Sequence, residues 1–211
     1  MNAERVERLK AIALDTNNTK VINKVIEYIN IKLNIDLYKE YNNSDIKKLD
    51  LKKNKAFYKQ VIQRLFNHLE RNMNKKDRLF KLCEQGQEIL EMKRASTVQS
   101  PNYGNEAGRQ ENGYHENTQE KKLLDIEEET IKQRKRLIEY QKFADELDKD
   151  KELLEKFIDL SPNNTAVDVI NRHYFLGERF CDIAADICYS EVYYIVKRGI
   201  DDLAQILESS L

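Results

Sequence analysis

Apolar residues recur at spacings of three and four along most of this chain, the period of one face of an α-helix. Val6, Leu9 and Ala13 mark a short helix over residues 3–14, and the DTNNT that follows supplies cap-type residues at a break. Ile22, Ile26, Ile29, Leu33 and Leu37 continue a helical stripe, although Ile29, Ile31, Leu33, Ile35 and Leu37 also alternate as a half-buried strand does. Helix is the preferred reading, because the stripe begins before the alternation and its surroundings are helical. NNSD at 42–45 reads as a turn and N-cap. Tyr58, Val61, Ile62, Leu65 and Leu69 then mark one amphipathic helix, and Leu79, Cys83, Gly86 and Leu90 a further one from Lys75 to Arg94.

Residues 95–119 break the pattern, holding three of the six glycines and one of the two prolines among Ser, Asn and Gln, and read as a flexible linker. Helical periodicity resumes from Glu120 to about Asp148. There Leu123, Ile126, Thr130, Gln133, Leu137, Tyr140, Ala144 and Leu147 form a heptad-like seam with polar residues at its middle. Such a stripe needs a partner, either the helix before the linker folded back as an antiparallel hairpin or a second copy of the chain. A short helix from Lys151 to Leu160 leads into the last unit. The expected organisation is all-α: a helical N-terminal module over 1–74, a helical hairpin over 75–159, and a three-helix unit over 160–211.

In that last unit, helices are expected from Thr165 to Leu176, from Arg179 to Ile187, and from Glu191 onward. Gly177 suits the left-handed position that closes a helix, and Ser190 is a natural N-cap for the final one. Cys188 to Ser190 leave only the tight connection that a helix-turn-helix requires. Val192, Val196, Gly199 or Ile200, Leu203 and Leu207 form the inward stripe of the last helix, faced by Ile183, Ala184 and Ile187, with the small Ala184 allowing close crossing. Elimination then places Tyr193, Tyr194, Lys197, Arg198 and Asp201 on or beside its outer face. Lysine and arginine there suit phosphate contacts, and tyrosines can pack on sugar or a thymine methyl.

Charge changes this picture. The net charge of −1 conceals +8 over residues 1–100 and −9 over 101–211, and Lys52 to Lys81 hold ten cations against Glu70 and Asp77. Residues 162–211 carry four cations, Arg172, Arg179, Lys197 and Arg198, against eight carboxylates, a net of −4. Phosphate neutralisation supplies most non-specific DNA affinity, so such a unit alone binds DNA weakly. It needs a second subunit with the basic 52–81 segment, or it docks on protein instead.

The chemistry of catalysis is not legible here. No Gly-rich phosphate loop, HExxH, GxSxG or paired metal-ligand motif is present, and His68, His115 and His173 are scattered. Cys83, Cys181 and Cys188 lack CxxC spacing and read as small core residues. The expectation is a non-enzymatic chain without cofactors. With no secretory signal or apolar run of membrane-spanning length, it is expected to be cytoplasmic.

The order of LSP at 160–162, RxYFxG at 172–177, DIA at 182–184, YSE at 189–191 and YYxxKR at 193–198 resembles the sigma-factor region-four type of helix-turn-helix. It is most similar to the ArpU and RinA group of phage and prophage late-gene regulators. The resemblance spans roughly residues 75–208 and is specific across the last fifty. It implies a transcriptional regulator that sets the helix beginning at Ser190 in the major groove of double-stranded DNA. Arg179, Ser190, Tyr193, Tyr194, Lys197 and Arg198 would then lie near the DNA, in a homo-oligomer. The alternative is a helical adaptor that binds RNA polymerase or a phage protein without touching DNA.

Overall fold

The computed structural model describes residues 3–37, 51–98, 116–185 and 188–211. The fold is all-α, with no strand among the described residues. In chain order the helices are α1 (Ala3–Leu14), α2 (Thr16–Lys32), α3 (Leu51–Val98), α4 (Glu116–Ile158), α5 (Asn164–Ile170), α6 (Phe180–Ile183) and α7 (Tyr189–Ser209), with a π-helical turn, Asn171–Phe175, after α5. Residues 1–73 cluster with 147–211 as one compact unit, and 74–146 form a second. The expected N-terminal module, 1–74, and the expected three-helix unit, 160–211, thus contribute to one and the same unit. The NNSD turn, Ile187, His115 and most of the expected linker lie outside the described residues.

In the first unit, the break between α1 and α2 narrows to Asp15, whose carboxylate accepts the backbone N–H groups of Asn17 (2.9 Å) and Asn18 (3.3 Å) as a side-chain N-cap. The alternating strand pattern over 29–37 does not hold. Ile29 and Leu37 are buried, but Ile31 is 67% exposed because α2 runs on to Lys32 and turns that side chain outward. Leu9, Ile22, Ile26, Leu65, Phe66, Leu154 and Phe157 belong to the core of this unit. The expected helices at 58–69 and 75–94 are one continuous helix, and those at 120–148 and 151–160 are another. Neither RNMNKKD nor DKDKE contains the Gly or Pro that would end a helix, so the apolar gap marks a change of surroundings only.

The second unit contains the latter half of α3 and the earlier part of α4. The expected seam residues Cys83, Gly86 and Leu90 are buried, as is Gln133, whereas Leu123 is 59% exposed. The Gln133 amide donates to the Cys83 carbonyl. Gly86 makes this possible, since a Cβ there would overlap the Gln133 side-chain amide. Phe80 packs on Tyr140 at 5.8 Å between ring centroids, and the Lys75 ammonium lies 4.5 Å over the Phe143 ring. These contacts come from the antiparallel partner that the heptad-like stripe requires.

Two features of the first unit yield predictions. Gly199 of α7 lies against α5, and a Cβ there would sit 2.8 Å from both Ala166 Cβ and Ile170 Cδ1. Gly199→Val should therefore lower stability by about 1–3 kcal/mol in denaturant unfolding. His68 is half-buried beside Tyr28, and the Asn72 amide can donate to its Nε2 at 3.0 Å only while that nitrogen is unprotonated. Burial lowers the His68 pKa, Asp150 opposes that, and Lys32 and Arg71 reinforce it. The unfolded chain thus takes up the proton first. The stability that neutral His68 contributes is complete above its ordinary value of 6.5 and is lost as pH falls through the lowered folded value. Wild type should lose more stability between pH 7.5 and 5 than His68→Gln, as read from paired unfolding curves.

Candidate nucleic-acid interface

The C-terminal part of the first unit is built on α7. Val192, Val196, Gly199, Ile200, Leu203 and Leu207 are all buried, as their spacing anticipates. Asp202, Ala204 and Ile206 are buried as well, so the later turns of α7 are enclosed by protein while the earlier turns keep a wet face. α5 packs across α7 at Gly199, and α1 packs along it. Close crossing thus comes from Gly199 against Ala166. Ala184, expected to provide it, is half-buried just beyond α6.

Three local expectations need correction. The helix expected from Thr165 to Leu176 is regular only to Ile170. The next five residues form a π-helical turn in which the Leu176 N–H bonds back five residues to the Asn171 carbonyl (3.1 Å). The looser turn accompanies burial of Phe175 and stacking of Tyr174 on Phe66 at 4.8 Å between centroids. Gly177 does close the segment at φ 73°, and the Glu178 N–H returns to the Arg172 carbonyl at 3.0 Å. The second helix is one turn long, Phe180–Ile183. Finally, α7 begins at Tyr189 with Cys188 as N-cap, since the Cys188 carbonyl accepts from the Glu191 and Val192 N–H groups (2.8 and 3.2 Å). Ser190 lies inside the first turn, and its hydroxyl contacts Cys188 Sγ at 3.3 Å.

The expected contact residues fall into two groups. Tyr193 (61% exposed), Tyr194 (67% exposed), Lys197 and Arg198 share the solvent face of α7. The two tyrosine rings stand edge to face, 6.0 Å apart. Arg179 is elsewhere, just before α6, and its guanidinium is held by Asp182 through Nε–Oδ2 (3.0 Å) and Nη2–Oδ1 (3.1 Å). That pairing raises the Arg179 pKa and lowers that of Asp182.

His173 stacks on Phe180 at 3.7 Å between centroids and its Nδ1–H donates to the Glu178 carbonyl (2.8 Å), so it packs the turn. Cys83 is buried as expected, but Cys181 and Cys188 are exposed, because α6 is too short to fold them inward. Among the described residues no cluster of His, Cys, Asp and Glu could hold a metal ion, and no helix is long and apolar enough to cross a membrane.

Two of the eight carboxylates in residues 162–211 are paired with cations from far along the chain, which no spacing in the sequence announces. Asp202 is fully buried, and its Oδ1 accepts Arg5 Nη2 of α1 at 2.5 Å, across 197 positions of sequence. Asp201 meets Lys59 Nζ of α3 at 2.6 Å, and Glu178 meets Arg172 Nη2 at 2.8 Å. Lys59, from the basic segment expected to reach phosphates, is thus spent on a carboxylate of α7. Arg8 and Arg198, both exposed, have no carboxylate within ion-pairing distance among the described residues.

Removing one member of a buried pair strands the other without a counter-charge. Arg5→Ala should cost about 3 kcal/mol in denaturant unfolding, and Arg5→Met with Asp202→Leu should recover most of it. A single-variant loss below about 0.5 kcal/mol would show that the pair does not anchor α1. The chain matches no protein-family model, no curated protein and no solved structure at a significant level, so its functional reading rests on these residues.

Proposed function

We propose that this chain is a DNA-binding transcriptional regulator of the phage late-gene type, using the wet face of α7 as its recognition surface. The observation that carries the reading is the division of α7. One face is sealed by α1 and α5, and the other presents Tyr193, Tyr194, Lys197 and Arg198 together from the early turns. A helix held from behind with its N-terminal turns free is what insertion into a major groove requires. Lys197 and Arg198 would reach phosphates, and Tyr193 and Tyr194 sugar or thymine methyl groups. The ion pairs of Asp201 with Lys59 and of Asp202 with Arg5 support this reading, because these two cations from outside residues 162–211 bring the net charge of −4 to −2 and lessen the repulsion directed at DNA. Pairing of two copies would double the contacts and place two α7 helices on successive half-sites.

The test is retention of a labelled random duplex pool by the full chain across a salt series. Wild type should retain DNA at low salt and lose it steeply as salt rises, and Lys197→Ala with Arg198→Ala should flatten that dependence by about two in the log–log slope. Retention indifferent to both salt and the double substitution would overturn the reading in favour of an adaptor that docks on protein.

A further inference from the structure

An open cleft of about 720 Å³ lies between α1, the start of α5 and α7, lined by Glu4, Arg5, Arg8, Asn164, Arg198 and Asp202 together with Pro162 and Asn163. All of these belong to the first unit. Three guanidinium groups from two helices therefore share one concavity, and their states differ. Arg5 gives Nη2 to the buried Asp202 carboxylate, which fixes its position. A guanidinium carries five N–H donors, so this bond leaves others to face the cleft. Arg8 and Arg198 are exposed and have no ion-pair partner among the described residues. Glu4, in the exposed first turn of α1, works against an anion here, and so does Asp202, whose Oδ1 accepts Arg5 but whose buried Oδ2 has no hydrogen-bond partner; three cations against these two carboxylates leave the cleft with an excess of one positive charge.

We infer that this cleft is an oxyanion site that seats one phosphate group, and that α1 is thereby part of the nucleic-acid interface. The inference rests on the DNA-binding reading for the source of that phosphate, a backbone phosphodiester beside the groove that α7 enters. Two arguments select phosphate. A carboxylate offers two coplanar oxygens, which a single guanidinium fork satisfies, whereas arginines on separate helices converge on an anion whose oxygens leave one plane. Arg198 also lines the cleft while standing on the same wet face of α7 as Lys197 and Tyr194, so the site continues the proposed recognition surface. Asn164 also lines the cleft and brings a neutral side-chain donor to it.

The experiment measures binding of a labelled non-specific duplex across salt for full-length wild type, Arg8→Ala, Arg8→Lys and Lys197→Ala. Its second arm titrates inorganic phosphate into the unbound chain while the arginine Nε and Asn164 side-chain NMR signals are followed. Arg8 is exposed, so its substitution leaves the fold intact, which the melting temperature verifies. Arg8→Ala should weaken binding equally for every duplex and lower the salt slope by about one, with Arg8→Lys close to wild type. Inorganic phosphate should shift the cleft signals of wild type but not of Arg8→Ala. Unchanged affinity and slope in Arg8→Ala, alongside a loss in Lys197→Ala, would overturn the cleft and leave the DNA reading standing. Phosphate-induced shifts that depend on Arg8, in a chain that retains no duplex, would keep the phosphate site and overturn the DNA reading. Absence of both responses would overturn both.

Discussion

Burial of the Asp202 carboxylate inside the packing of α7 is the constraint on which the first unit turns. An uncompensated charge there would cost several kcal/mol, so a cation must be delivered to it, and Arg5 of α1 delivers one at 2.5 Å. That requirement makes α1 part of the C-terminal architecture although nearly two hundred residues separate them. Apolar burial does the rest: Leu9 and Ala13 of α1 and the stripe of α7 are fully or almost fully covered. Apolar packing alone would tolerate a slide of α1 along α7. A single buried ion pair sets a register, because any slide strands Asp202.

The same arrangement changes what acidity means in this chain. Counted along the sequence, the last fifty residues repel DNA. Counted in space, Asp201, Asp202 and Glu178 each face a cation, two of which come from other parts of the chain. Lys59 and Arg5 are therefore counter-ions to α7, while Lys197, Arg198 and Arg8 have no carboxylate within ion-pairing distance among the described residues. Formal charge over a sequence window is a poor guide to surface potential when buried carboxylates draw their partners from outside the window.

Much of the fold was legible because it depends on period. The buried stripe of α7, the seam at Cys83, Gly86 and Leu90, and the left-handed Gly177 follow from spacing and from the steric freedom of glycine. Tyr193, Tyr194, Lys197 and Arg198 followed by elimination, since positions outside a buried stripe face water. What escaped was decided by non-local contacts. Nothing near Asp202 announces Arg5, and nothing near Gly199 announces Ala166. The π-helical turn answers the placement of Tyr174 against Phe66, more than a hundred residues earlier. Propensity alone favours Ser190 as N-cap, but the helix already starts at Tyr189, with Cys188 as its cap. Arg179 illustrates the converse failure, because its partner Asp182 is local at a three-residue spacing and was visible in the sequence.

The position of the cleft along α7 has its own logic. The early turns of α7 must stay wet if they are to reach any partner, and the later turns must be buried to hold the helix still. Arg198 sits where one regime gives way to the other: Val196 and Gly199 on either side are buried, yet its own side chain is exposed. Packing beneath fixes the backbone that carries this cation, and its exposed side chain stays free to pair with an anion above. Arg5 is restrained in a different way, through Asp202. The ion pair that fixes α1 against α7 therefore also preorganises one of the three guanidinium groups, that of Arg5. Stability and the proposed recognition thus share the Arg5–Asp202 contact, and removal of Arg8 is the change that separates them.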